Sequence, residues 1–478
     1  MAGIGFELKK LFQNKGLLLQ ARANIYAGVV IAGPTLMGVL LLLGTRYISF
    51  YGGATNRQQD LIVVIITYSL LFSLILTSLL LFVLSRYVAD MLYIKAYERI
   101  LPSMYGAIGL FLTIGSALWA GFLSVNSLDF NIALYSFALF CEGIVVWIQI
   151  SYISAIKEYR GILWGFFIGI TTGLLCGLVF IVVGYEVVAS LLAGACIAYG
   201  ILIVQFTVLI HQYFPVGSGS PLRFLVWIEK YPQLPFVGLF STLGLFIHLI
   251  LMWMSPWGVQ VDGYFYHAPR HDIPALMAFM TSIFTAVNFV TTVEVNFYPK
   301  YHLYFSLLNG DGSLLNIEKA YDEMLDVLKQ EIFYLAIQQI FISLIAVTLF
   351  GELIAYLKLG FSGSMIDVFR VLCVGYGIFA IGNSLLLFLL YFSSNRDALW
   401  ASAAFFVANT ALTYYTITLP QAYYGFGFIL AGVVLYLVAL RQLYSYTDRL
   451  DYHIFTDQPV FFVQKKNALT RLIDKLDY

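Results

Sequence analysis

Hydrophobic and polar positions alternate along this chain on a long wavelength. Apolar stretches of about twenty residues recur from residue 25 to residue 440, separated by short polar breaks. A helix needs about 20 apolar residues to cross a bilayer core. The pattern therefore predicts twelve membrane-spanning helices, over 25–49, 61–85, 103–125, 130–155, 161–184, 186–210, 233–254, 272–295, 332–350, 366–392, 397–417 and 421–440. Gly184 and Pro420 keep neighbouring spans apart where the connecting turns are shortest. The longest polar break in the first half, 211–232, carries Pro215, Gly217, Gly219 and Pro221 and divides the spans six and six. An even number per half gives both halves one orientation, so any repeat would run about an axis along the membrane normal. The expected organisation is an N-terminal amphipathic segment (1–24), an N-lobe (25–210), a linker (211–232), a C-lobe (233–440) with an amphipathic insert at 296–331, and a tail (441–478).

Composition agrees with this picture. Of 478 residues, 61% are hydrophobic and 11% charged, against roughly 25% charged in an average soluble domain. Such a chain cannot clothe a globular surface, which excludes a soluble enzyme, a nucleic-acid binder and a disordered scaffold. The 26 basic and 26 acidic residues cancel, so their placement matters more than their sum. With a cytoplasmic N-terminus, the outer loops carry only Arg46, Arg57, Arg270 and Lys358, and Arg370 lies within the tenth span. The other Lys and Arg fall on the inner side, as the positive-inside rule requires, and both termini are expected in the cytoplasm. Cys141, Cys176, Cys196 and Cys373 all sit in apolar runs and read as small buried hydrophobes, with no metal spacing or disulfide framework. Residues 1–24 lack a small-residue cleavage site, so no cleavable signal peptide is expected.

Ionisable groups inside a span are costly and mark functional candidates. Glu142 lies near the middle of the fourth span, with Tyr135 and Gln149 seven residues to either side on the same face. The stripe fits a substrate or ion path; it equally fits an interhelical hydrogen bond made by a protonated Glu142. Further stripes are Thr281, Thr285, Asn288 and Thr292 in the eighth span, Tyr334 and Gln338 in the ninth, Tyr376 and Asn383 in the tenth, and Ser402, Asn409, Thr413 and Thr416 in the eleventh. Singly, such residues are glue between helices; together they suggest a hydrated cavity. Arg370, three residues after Asp367, fits interfacial anchoring or substrate contact. Gly33-Pro34 breaks the first span and is a candidate hinge.

Two segments are amphipathic. Ile4, Leu8 and Leu11 share one face near the N-terminus. Leu314, Ile317, Tyr321, Met324, Leu325 and Leu328 form an apolar stripe opposite Glu318, Asp322, Glu323 and Lys329. Both fit helices in the membrane interface, or a docking surface for a cytoplasmic partner. Soluble-chemistry motifs are weak. His267 and His271 stand at i, i+4, but Pro269 separates them and no third ligand is evident, so no metal is expected. His211 and His248 are isolated, which disfavours a membrane-embedded glycosyl- or acyltransferase. Gly310-Asp311-Gly312 is a turn without a Walker lysine, and no nucleotide or other cofactor is expected.

Several runs are familiar together. The stretch Gly3–Phe12 (GIGFELKKLF), then Tyr26–Gly28 and Ala32–Pro34, resembles the N-terminus of the PelG family, the polytopic subunits of the Pel exopolysaccharide machinery. So do Arg86–Asp90 (RYVAD), the block from Phe297–Tyr301 (FYPKY) through Gly310–Leu314 (GDGSL) to Ala320–Met324 (AYDEM), and the stretch Leu390–Leu399. The chain departs from the family's usual residues at Thr35, Asp311 and Ser313. The resemblance implies an all-α exporter of the multidrug/oligosaccharidyl-lipid/polysaccharide (MOP, MATE-like) flippase superfamily, with two six-helix lobes, in a bacterial inner membrane. It implies a partly deacetylated galactosaminoglycan as polysaccharide substrate. It also implies a cytoplasmic glycosyltransferase using a UDP-sugar as partner, with companion membrane subunits that include a cyclic di-GMP receptor. No catalytic residue carries over. A lipid-linked oligosaccharide flippase of the same superfamily and a non-transporting scaffold of the synthase are the alternatives.

Overall fold

The computed structural model describes Gly33 and residues 36–156, 159–310, 312–350, 362–456 and 470–471. Leu8, Leu11, Pro34, the segment 1–24 and most of the tail lie outside the described residues. Within them run twelve long helices: α1 Leu36–Tyr51, α2 Asn56–Tyr93, α3 Ile100–Ser124, α4 Phe130–Ile156, α5 Tyr159–Val183, α6 Val187–Tyr213, α7 Gln233–Trp253, α8 Pro269–Thr291, α9 Leu314–Ile345, α10 Gly363–Tyr391, α11 Asn395–Ile417 and α12 Phe426–Thr447. Ten helices among the described residues are long and apolar enough to cross a membrane. Of the other two, α1 is short over its described part, and α11 is long but diluted by Ser402, Asn409, Thr410, Thr413 and Thr416. The chain is an all-α polytopic membrane protein, and each expected span has its helix.

Local chemistry sets several ends. Thr55 caps α2 in a reciprocal box: its hydroxyl accepts the Gln58 amide while the Gln58 side chain accepts the Thr55 amide at 3.0 Å. Ser313 caps α9 in the same position. The amphipathic stretch 313–330 is not a separate interfacial helix but the first half of α9, continuous with the ninth span. No Gly or Pro occurs between Leu314 and Ile345, so nothing interrupts the hydrogen-bond ladder. The helix α8 likewise continues through a π-helical turn, Thr292–Phe297, into a short helix, Tyr298–Leu308.

Contacts divide the chain into two units. The first holds Gly33–Leu243 and Gly258–His267; the second holds Gly244–Trp257 and the chain from Ala268 onward through α12. The division falls inside α7 rather than in the linker 211–232, because that linker is bound to the first unit. A Cβ on Gly217 would lie 3.1 Å from Pro102, and Trp227 donates to Asp90 at 2.8 Å while its ring meets Tyr87 edge-on.

In the first unit α4 packs on α2, α3 and α6, and α5 packs on α6. Gly161, Gly165, Gly169, Gly173 and Gly177 recur every fourth residue along one face of α5. A Cβ on Gly169 would lie 2.7 Å from the Ala198 carbonyl of α6, and one on Gly194 of α6 would lie 2.5 Å from the Gly173 carbonyl. The two backbones touch because the side chains are absent, the usual basis of close helix packing in lipid. A hairpin, β1 Val259–Asp262 and β2 Phe265–His267, turns at Gly263, whose φ is +47°. It docks on the same unit: Tyr68 of α2 donates its hydroxyl to the Tyr266 carbonyl (2.9 Å) and accepts the Tyr266 amide (3.0 Å). Asn126 accepts the Tyr264 amide at 2.6 Å.

In the second unit α10 is the central helix, packed on α8, α9 and α12, with α11 on α12. Phe379, Leu385, Phe388 and Leu389 of α10 are buried. The start of α9 is clamped by the chain itself. Tyr321 donates to the Thr447 carbonyl at 2.6 Å, Met324 and Leu328 are buried, and Lys300 binds Glu323 at 2.7 Å. The sequence marked Tyr321, Met324 and Leu328 as a partner-docking face; their side chains are packed within their own unit, whereas Leu314 and Leu315 at the tip are exposed.

Candidate functional site

In the first unit the polar stripe of α4 faces α6. Gln149 is buried and donates to Thr207 Oγ1 (2.8 Å) and to the Ile203 carbonyl (3.3 Å). Its amide therefore joins two helices. Tyr135, at the other end, is half-buried, and its carbonyl accepts the Cys196 thiol at 3.5 Å. Between them Glu142 points at Gly200 of α6: a Cβ built there would lie 3.7 Å from Glu142 Oε1. Glu142 Oε2 is buried and has no hydrogen-bond partner among the described residues. The stripe thus contains two helix-joining contacts and, between them, one carboxyl oxygen with spare acceptor capacity.

Gly33, the described half of the proposed hinge, is buried, and a Cβ on it would overlap the Leu163 side chain of α5. Close packing is what the glycine permits there.

In the second unit a ladder of polar contacts joins α8 to α9. Thr285 hydroxyl donates to Gln339 Oε1, and Gln339 Nε2 donates to Ser343 Oγ at 3.1 Å. Asn288 Nδ2 donates to Gln338 Oε1 at 2.8 Å. Further along, Thr292 and Asn296 both donate to the Glu331 carboxylate, at 3.1 and 2.7 Å. Thr285 and Gln339 are buried, while Gln338 is exposed and Asn288 and Glu331 are half-exposed. The buried contacts hold helices together; the outer ones present an amide, an amide and a carboxylate along one edge. Glu331 was missed in the sequence because it stands at the head of an apolar run, and only the π-helical turn brings Thr292 and Asn296 to it. Gln339 was overlooked beside Gln338.

The remaining candidates lie apart from this ladder. Asn409 is fully buried; it donates to the Gly244 carbonyl at 2.7 Å and accepts Thr413 Oγ1 at 2.8 Å. Asn383 is half-buried on α10, seven residues beyond Tyr376. Arg370 lies 3.9 Å from Asp367, a loose pair whose acid is largely exposed. Tyr376 is buried, with its hydroxyl 3.1 Å from His248 Nε2. His248 in turn meets His271 edge-to-face, ring centroids 5.2 Å apart. The helical spacing of His267 and His271 is not realised, because His267 ends the hairpin in the first unit, 3.9 Å from Asp60, and His271 begins α8 in the second. Among the described residues no group of three or more His, Cys, Asp or Glu could hold a metal ion.

The sequence matches the family model PelG, described as "Putative exopolysaccharide Exporter (EPS-E)", over residues 1–455. No match is found among curated proteins. Solved structures with a similar fold are transporters. An outward-facing multidrug-resistance MATE transporter of the MOP superfamily aligns with TM-score 0.58 at 13% identity, over 89% of this chain and 96% of the other. The Vibrio cholerae MATE transporter VcmN in its bent form gives 0.54 at 14%, over 90% and 98%. A MATE structure in the straight conformation gives 0.55 at 12%, over 89% and 96%.

Proposed function

We propose a polymer-transport role from one premise: the chain belongs to the PelG family of exopolysaccharide exporters. The observation that carries the reading is the extent of that match, which takes in all twelve helices of a MATE-like fold. The substrate is a Pel-like, galactosamine-rich polysaccharide made from a UDP-sugar by a cytoplasmic glycosyltransferase. The chain sits in a bacterial inner membrane with both termini cytoplasmic, beside companion membrane subunits that include a cyclic di-GMP receptor. It acts as a transporter subunit and performs no chemistry on the sugar.

Physical support comes from the outer edge of the α8–α9 ladder. A sugar chain that leaves water exchanges each hydroxyl's bonds to solvent for bonds to protein, and an unpaired buried hydroxyl costs about 1–3 kcal/mol. Gln338, Asn288, Asn296 and Glu331 offer donors and acceptors on one side of the second unit. Glu142 supplies a free acceptor in the first. A second reading, transfer of a lipid-linked oligosaccharide, draws on a half-open cavity of about 240 Å³ between α9 and α10. Its walls include Ile340, Leu344, Val347, Val374, Ile378 and Ile381, suited to a prenyl chain.

The test uses inside-out vesicles containing this chain and the glycosyltransferase, supplied with UDP-N-acetylgalactosamine. Newly made polymer should become protected from added glycosidase only when this chain is present. Polymer made in equal amount but always accessible would overturn transport by this chain. Protection of a preformed lipid-linked oligosaccharide, without any synthase, would favour the second reading.

A further inference from the structure

Two histidine-bearing segments, α7 and the first turn of α8, meet in the second unit away from the contacts that join α8 to α9. His248 lies on α7 and His271 in the first turn of α8, both 1% exposed. Each leaves its Nδ1 buried and without a hydrogen-bond partner among the described residues, as does Asp272 Oδ1. Three unpaired polar atoms in one side-chain cluster are unusual, since buried polar groups are nearly always satisfied. The pocket is otherwise well built. Asp272 is held in place by its other oxygen, which accepts Trp253 Nε1 (3.0 Å) and the Ala268 amide (2.8 Å). His248 is held by Tyr376 and by the Phe428 ring, 4.4 Å away between centroids.

We propose that His248 and His271 form a proton-binding site with Asp272 as its counter-charge, and that uptake of one proton repacks α7 against α8 and α10. His271 Nδ1 already lies 3.8 Å from Asp272 Oδ1, just beyond hydrogen-bond reach. A proton taken from water onto that nitrogen turns two unpaired atoms into one charge-assisted hydrogen bond after a small rotation of the ring. The new N–H is the only covalent bond formed, the proton comes from water, and the turn of the His271 ring toward Asp272 is what loosens its edge-to-face contact with His248 on α7. A second proton on the neighbouring imidazole of His248 would face a like charge at a ring separation of 5.2 Å, so the site is built for one proton. Among the described residues the groups facing the pair are Asp272 on α8, Tyr376 on α10 and the non-titrating ring of Phe428 on α12, with Trp253 at the end of α7 bonded to Asp272. A metal ion is a poorer occupant, because these residues do not assemble into a ligand group. The site goes beyond the transport reading and stands without it, since it is measured with no polymer present.

The experiment is carbon-13 NMR of histidine-labelled full-length protein in lipid nanodiscs, titrated over about pH 5 to 8, where histidine changes charge. Single His→Gln variants assign the six histidines. The expected result is a common step for His248 and His271, with His271→Gln abolishing the step of His248 or moving it by about one pH unit or more. Backbone amide exchange in 244–253 and 269–276 should change across the same step. If His271→Gln fails to fold, Tyr376→Phe replaces it; this variant removes only the hydroxyl bonded to His248 and should shift the common step. Independent titration of the two rings, no titration of either, or amide exchange that ignores the step would overturn the proposal.

Discussion

Asn409→Leu separates a packing role from a substrate-path role at one residue. The side chain keeps its approximate volume and loses both polar atoms. Two contacts go with them: the bond to the Gly244 carbonyl of α7 and the bond accepted from Thr413 on the next turn of α11. Hydrogen bonds between side chains in membrane proteins average about 0.6 kcal/mol and reach about 1.7. A loss of about 1–3 kcal/mol is therefore expected for the pair. Thr413→Val removes the second contact alone and should cost about 0.6 kcal/mol, the average for one such bond. The assay is reversible unfolding of the purified protein in mixed micelles, run on both single variants and the double variant. The double variant should be no less stable than Asn409→Leu by more than the residual packing error of about 0.3–0.5 kcal/mol, because the Thr413 bond is already gone. Asn409 is fully buried, so any export defect should scale with lost stability. Wild-type stability combined with absent export would refute this reasoning and return Asn409 to the substrate path.

Glu142→Gln should lower exported polymer about tenfold, equivalent to ~1.4 kcal/mol on the limiting step, while insertion and helix content stay normal; unchanged secretion in the glycosidase-protection assay would sink the role of Glu142. Gly106→Ala should destabilise by about 1–3 kcal/mol, since its Cβ would lie 2.5 Å from the Pro221 carbonyl carbon. Gly109→Ala, one turn away with open space around it, should be neutral or slightly stabilising in the same melt. Tyr304→Phe should cost about 1.5–3 kcal/mol, because the buried ring loses the hydroxyl bonded to the Asp451 carboxylate; an Asp451→Asn partner variant gives the coupling energy directly.

The twelve helices and the kind of surface that they present to lipid are properties of the sequence alone. Span length and the scarcity of charge are set by the bilayer's thickness and low polarity, and both read out residue by residue. The glycines at every fourth position of α5 gained their meaning only in the structure, where they let its backbone meet that of α6. What the side chains do on meeting was not legible. Gln149 and Asn409 fitted either a substrate path or interhelical glue, and both are tied to the backbone of neighbouring helices. Tyr321, Met324 and Leu328 fitted a face for the membrane interface or for a cytoplasmic partner, and their side chains pack within their own unit. The reason is that an amphipathic or polar stripe fixes a direction around a helix but not the element opposite it. Nor does periodicity place residues on different helices together. His248 stands 23 positions before His271 and 128 before Tyr376; α7, α8 and α10 had to pack before those groups shared a pocket. The π-helical turn did the same for Glu331, since one extra residue per turn re-aims Thr292 and Asn296 toward α9. Hydropathy determined where the chain crosses the membrane, and tertiary packing decided which of its polar atoms are spent on holding helices and which remain free.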